Sequence, residues 1–155
     1  MKPKIFLAAD HAGFEMKEFV KEHLQNHGYQ VEDCGAYESK QDDDYPEFML
    51  TAAKKVSSNK GSKGIIFGGS GQGEAIVSNK VKGIRAAVYN CSNPEIIKLS
   101  RAHNDANVLS IGARFISKEH AIEAITVWLS TDFSGEARHK RRLSQVQEIE
   151  KNLCK

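Results

Sequence analysis

The chain has 155 residues, 40% hydrophobic and 27% charged, a composition that excludes a disordered or low-complexity polymer. Lys plus Arg is 22 and Asp plus Glu is 20, a formal net charge of +2, which argues against a chain-wide nucleic-acid or membrane coat. The length is that of one domain, 1–155, able to bury roughly 68–70% of its unfolded surface without a disulfide or metal staple.

Ile5 to Ala9 is an apolar run of strand character. Beyond Gly13, Phe14, Val20 and Leu24 recur at helical spacing, with Met16 and Phe19 beside them, up to a stop at Gly28. Tyr29 to Asp33 reads as a second strand and Gly35 to Asp44 as a polar loop. Pro46 suits the first turn of a helix, continued by Phe48, Met49, Ala52, Ala53 and Val56. A turn-rich break over 57–63 leads to a third strand, Gly64 to Phe67, then to Gly68-Gly69-Ser70-Gly71-Gln72-Gly73 and a helix from Glu74 to Asn79. Ile84 to Tyr89 is a fourth strand. Asn93 and Pro94 supply the N-cap and first position of the next helix. Asn107 to Ile111 is a fifth strand, Ser117 opens another helix, and a last one starts near Gly135 with Leu143, Val146, Ile149 and Leu153 on one stripe.

Short apolar strands alternating with helices predict an α/β fold, a five-stranded parallel sheet covered on both faces, with a C-terminal helix. Ligands of such sheets bind beyond the carboxyl ends of the strands. That rule points to Asp10-His11, Gly35 to Tyr45, Gly68 to Glu74, Asn90 to Asn93 and Gly112 to Arg114. Cys34, Cys91 and Cys154 have neither disulfide-framework nor zinc-like spacing. They read as free thiols in a reducing cytoplasm. The apolar run at 5–9 is too short for a signal-peptide core, and no stretch approaches the ~18 apolar residues of a membrane span.

The glycine-rich turn joins a buried strand to a helix, an arrangement that aims backbone N–H groups at an anion or developing oxyanion. It is not a dinucleotide fingerprint, because Glu74 stands where the third glycine belongs, and not a Walker A loop, because Glu74 stands where a lysine belongs. Glu74 itself reads either as a favourable dipole partner in a first helical turn or as a general base beside oxyanion donors. Asp10 and His11 end the first strand, where they either start the next helix or face a ligand. His103, in Arg101-Ala102-His103-Asn104-Asp105, is suited to reversible proton transfer if it is not a satisfied structural residue. Arg138 and Arg142 are i, i+4 and share a helix face. They are a solvated face or, with Arg114, two or three forks of one anion site. His23, His27 and His120 read as surface residues.

In this order, Ala9-Asp10-His11-Ala12-Gly13-Phe14, Asp44-Tyr45-Pro46, Gly68 to Gly73, Asn79-Lys80, Gly83-Ile84-Arg85-Ala86, Arg101 to Leu109, Gly112-Ala113-Arg114 and Arg138-His139-x-x-Arg142 resemble ribose-5-phosphate isomerase type B. That family also contains the galactose-6-phosphate isomerase subunits. The resemblance runs from about Lys4 to Ile149. It implies a Rossmann-like three-layer αβα sandwich, a homodimer or a dimer of dimers (a homotetramer), an active site at the dimer interface, and no metal or organic cofactor. It implies a sugar phosphate as the small-molecule partner, no nucleic acid or membrane, and the ribose 5-phosphate to ribulose 5-phosphate step of the pentose phosphate pathway.

By resemblance, His103 assists ring opening and the backbone of Gly69, Ser70, Gly71, Gln72 and Gly73 cradles the enediolate. Asp10, His11 and Asn104 hold the sugar; Arg114, Arg138 and Arg142, with His139, bind the phosphate. Many members carry their base as a cysteine just before the loop, where this chain has Gly68. A second branch carries a glutamate just after it, which Glu74 matches, so Glu74 is the expected base. Two alternatives stay open: a six-carbon sugar phosphate as substrate, or a catalytically silent phosphate- or nucleotide-binding module.

Overall fold

The computed structural model describes residues 2–153. Cys154, one of the three expected thiols, lies outside them; Cys34 and Cys91 are free, and burial pushes the Cys34 thiol up to about 11. The elements follow the expected order: β1 (Ile5–Ala9), α1 (Phe14–Asn26), β2 (Val31–Asp33), α2 (Tyr45–Ser58), β3 (Lys63–Gly68), α3 (Gln72–Ser78), β4 (Ala86–Tyr89), α4 (Pro94–Ala102), β5 (Val108–Gly112), α5 (Lys118–Ser130) and α6 (Ala137–Leu153). Several boundaries differ by a residue or two, and two of them have a visible local reason. Gly71, in the left-handed region at φ 78, caps α3 and starts it at Gln72 rather than Glu74. The Ile84 N–H donates to the Val81 carbonyl in a turn, so β4 begins only at Ala86.

The five strands are all parallel, in the order β2-β1-β3-β5-β4. Alternation along the central strands fills both faces with apolar side chains. Ile5, Leu7, Ala9, Ile65, Phe67, Leu109 and Ile111 pack with Met16, Val20 and Leu24 of α1, Ile97 of α4, and Ala121, Ala124, Ile125 and Trp128 of α5. Phe6, Ala8, Ile66 and Val108 pack on the other face with Met49, Ala52, Ala53 and Val56 of α2. Helix layers thus cover both faces of one sheet, a three-layer sandwich. The capping expected at Asn93 is present, its Oδ1 accepting from the Glu95 N–H at 3.1 Å.

Helix α6 differs from the rest. His139 is its one buried residue. Val146, Ile149 and Leu153 stand exposed, and with Leu143 they flank a groove of about 660 Å³ against Ile84, Ala87 and Ala106. No helix among the described residues is long and apolar enough to cross a membrane.

Candidate active site

Strands β1, β3 and β5 are neighbours in the sheet, so the three turns at their carboxyl ends converge. They bring together Asp10 and His11, the loop Gly69 to Gly73 with Glu74, and Arg114. The loop is held from several sides. Ser110 Oγ, fully buried on β5, donates to the Gly71 carbonyl at 2.6 Å. Asn90 Nδ2 donates to the Ser70 carbonyl at 3.1 Å. Ala113 and Arg114 donate their N–H groups to the Gly68 and Gly69 carbonyls at 2.8 and 3.1 Å. The Gln72 N–H reaches Ser70 Oγ at 3.3 Å, while the N–H groups of Ser70, Gly71 and Gly73 have no backbone acceptor among the described residues. A fixed turn with unspent donors can hold an anion without reorganising.

Glu74 lies in the first turn of α3 and is buried. Its carboxyl folds back over Gly68, into space that only a residue without a β-carbon leaves open. Burial raises its pKa above the ordinary 4.5 and the Asp10 carboxylate adds to the rise, while a hydrogen bond from its own backbone N–H offsets part of it. A carboxylate tuned upward beside free amides has the properties of a base next to an oxyanion cradle.

Asp10 is buried, and its Oδ1 accepts the Gly13 N–H at 3.0 Å at the entrance to α1, as its helix-starting reading expects. His11 is gripped by a residue the sequence reading did not single out. Asp43 Oδ1 accepts the His11 backbone N–H at 3.1 Å and lies 2.7 Å from Nδ1. Because a carboxylate oxygen accepts, that contact places the ring proton on Nδ1, and Nε2 makes no hydrogen bond among the described residues. The Asp43 Oδ2 is buried without a partner among the described residues. The available signal was the run Asp42-Asp43-Asp44 in the loop after the second strand, one of the places named by the sheet rule. Lys17, also unremarked, has no exposed surface. Its ammonium bonds to Asp33 at 2.7 and 2.8 Å and to the Ala36 carbonyl at 2.6 Å, pinning the start of that loop. Tyr45 closes the site over Gly73, where a β-carbon would lie 2.8 Å from its ring.

The remaining expected residues form a second cluster, elsewhere. His103 and Asn104 precede β5 and therefore sit at its amino end. There the Asn104 carbonyl accepts from Arg85 Nε at 3.0 Å, and Arg85 precedes β4. The first turn of α6 packs on the same end. His139 stacks on His103 with ring centroids 4.2 Å apart and planes 14° apart, and the Ser134 N–H donates to the Ala102 carbonyl at 3.0 Å. His139 is thus buried against His103 rather than presented to solvent beside the arginines. Burial, and next the neighbouring His103, lower its pKa. Arg138 and Arg142 are exposed there, Arg138 Nε donating to Glu136 at 2.9 Å.

One expectation is corrected. Arg114 is not the neighbour of Arg138 and Arg142 within a chain: its guanidinium lies over Gly69, at the opposite end of the sheet. Helix α5 runs back between the two ends of the sheet, and β5 alone, five residues at ~3.3 Å per residue, sets its own ends about 13 Å apart. His23 of α1 stacks on His27, which caps that helix's C-terminus, and His120 is exposed. Among the described residues no group of three His, Cys, Asp or Glu side chains is placed to hold a metal ion.

Comparison with known proteins shows the family and the fold. The chain is 40% identical over 148 residues to ribose-5-phosphate isomerase B of Mycobacterium leprae, covering 96% of this chain and 90% of that protein. It superposes on the Clostridium thermocellum ribose-5-phosphate isomerase B with a TM-score of 0.91 at 39% identity, covering 97% and 99% of the two chains. With the Mycoplasma genitalium enzyme, solved with bound ribulose-5-phosphate, the TM-score is 0.92 at 36% identity, covering 97% and 98%. The family model described as Ribose/Galactose Isomerase matches residues 5–146, and the chain belongs to that family.

Proposed function

We propose that this protein interconverts ribose 5-phosphate and ribulose 5-phosphate, a pentose phosphate pathway step in the cytoplasm, as a homodimer whose sites are shared between chains. The observation that carries the reading is the buried Glu74 carboxylate folded over Gly68 beside a glycine loop with unspent N–H groups. The relatives named for this reaction, one of them holding ribulose-5-phosphate, support the substrate.

The split between the two clusters supports the shared site. Proton transfer at the sugar and capture of its phosphate have to occur around one small molecule. Apposition of the carboxyl end of one chain's sheet with the amino end of another's would bring Glu74, Asp10, His11 and Arg114 to His103, Asn104, Arg138 and Arg142. The charges are complementary: carboxylates of Asp10, Asp42, Asp43, Asp44 and Glu74 gather at one end, and Arg138, Lys140, Arg141 and Arg142 at the other.

In this scheme the phosphate lodges on the three arginines. His103 moves the proton from the hemiacetal hydroxyl toward the ring oxygen as the furanose opens. Glu74 takes the C2 proton, leaving an enediolate whose oxygen is held by the loop N–H groups, and returns the proton to C1; the C2 hydroxyl proton passes to O1. One such oxyanion donor is typically worth ~10²–10³ in rate. The scheme uses side chains and backbone alone, with neither metal nor organic cofactor.

The test is a substrate panel of ribose, allose and galactose phosphates, run with the wild-type chain and with Glu74→Gln. Wild type turns over ribose 5-phosphate best, and the variant loses ~10²–10⁴ in kcat. Preference for a six-carbon phosphate would displace the substrate assignment. Nucleotide binding with no turnover would favour a silent binding module.

A further inference from the structure

We infer that the absence of a side chain at position 68 is what admits Glu74 to the site: a β-carbon there and the Glu74 carboxyl are exclusive occupants of one volume, and Gly68 is the positioning residue of the base. A β-carbon on Gly68 would lie 2.7 Å from Glu74 Oε2 and closer still to Oε1 and Cδ. Real β-carbons do not approach oxygen this closely, so one partner has to move.

It cannot be the strand. Gly68 is the last residue of β3 and is buried. It pairs with Gly112 of β5, and its carbonyl accepts the Ala113 N–H at 2.8 Å. The preceding Phe67 is paired with Ala9 of β1, and its carbonyl accepts the Asp10 N–H at 3.3 Å. The backbone at 68 is therefore fixed from both neighbouring strands. Its φ is not in the left-handed region, so the glycine is not required for backbone conformation. What the missing β-carbon supplies is room. The Glu74 carboxyl is the free end of a flexible side chain, and it is the group that yields. A misplacement of about 1 Å at a reacting centre can cost ~10² in rate.

The inference rests on the reading of Glu74 as the base, and the experiment separates the two. Four purified full-length variants are compared with wild type: Glu74→Gln, Gly68→Ala, Glu74→Asp, and Gly68→Ala combined with Glu74→Asp. Each is assayed for kcat and KM on ribose 5-phosphate and for its thermal midpoint. Gly68→Ala is expected to fold, with kcat down about 100-fold and KM changed less than about threefold, because the base moves while the phosphate site does not. The shorter Asp withdraws from the added methyl, so on top of Gly68→Ala the change Glu74→Asp costs little or restores activity, whereas in wild type it costs most of it. If Gly68→Ala also lowers the midpoint, the combined variant recovers it. Near-normal activity of Glu74→Gln overturns the base assignment. An inactive Glu74→Gln together with Gly68→Ala within threefold of wild-type kcat overturns the role of Gly68 alone. So does a midpoint loss that shortening residue 74 does not relieve, since the methyl then collides with something else.

Discussion

A carboxylic acid that takes a proton from carbon near neutral pH works better when its pKa is raised toward the operating pH. Glu74 meets that condition through burial and through the Asp10 carboxylate. As the proposed base it would have to be ionised to act, so kcat/KM should fall on the acid side with an apparent pKa above the ordinary glutamate value of 4.5. A rate profile from pH 4 to 9 checks this; an acid limb at or below 4.5 would contradict it. Arg138 should act differently. It is exposed, and Glu136, in contact with it at 2.9 Å, is also exposed, so Arg138→Ala should leave the thermal midpoint within a degree or two. The same change should raise KM for ribose 5-phosphate by ~10-fold or more, a charge-assisted phosphate contact being worth about 1.5–3 kcal/mol. An unchanged KM would return Arg138 to a solvated surface. At this scale the sequence was legible where a residue type is chemically committed. Glu74 after four glycines, His103 and the arginine pair could all be singled out. Asp43 could not: which of three consecutive aspartates meets His11 depends on the path of a loop that Lys17, Asp33 and Ala36 pin from below.

Element boundaries followed capping and glycine chemistry closely, because those signals are local. Contacts between elements were less legible. Lys63, read as part of a turn, opens β3 instead, half-buried with its ammonium 5.9 Å from the Trp128 ring. Burial, and next the Arg101 guanidinium, push it down to about 8 from the ordinary 10.5. Folding therefore disfavours its charged form. The penalty is complete below pH 8, where both states are protonated, and is relieved as pH rises from about 8 to 10.5. Lys63→Met should accordingly raise the thermal midpoint at pH 7 relative to wild type. The difference between the two should shrink steadily toward pH 10 in paired melts. A lower midpoint for the variant at pH 7 would show that the aliphatic stem and its charge contribute more than burial costs. The stack of His139 on His103 is likewise a contact between elements, joining α6 to the end of α4, and no periodicity within either helix announces it.

The net charge of +2 conceals an uneven molecule, with acidic turns at the carboxyl end of the sheet and a basic helix start at the other. Both clusters were named from the sequence, but their separation was not. Residues just before a parallel strand and residues just after it lie at opposite ends by construction. His103 and Asn104 precede β5 while Arg114 follows it. The rule that ligands bind at the carboxyl ends located the first cluster and had nothing to say about the second. The central claim, that one active site draws on two chains, is tested most directly by pairing two inactive variants. Glu74→Gln and His103→Ala chains carrying different tags would be co-expressed and the heterodimer purified through both tags. A shared site leaves one of its two sites intact and the other doubly defective, so the heterodimer should recover about half of wild-type activity. Activity no higher than that of the two parental homodimers would contradict the account.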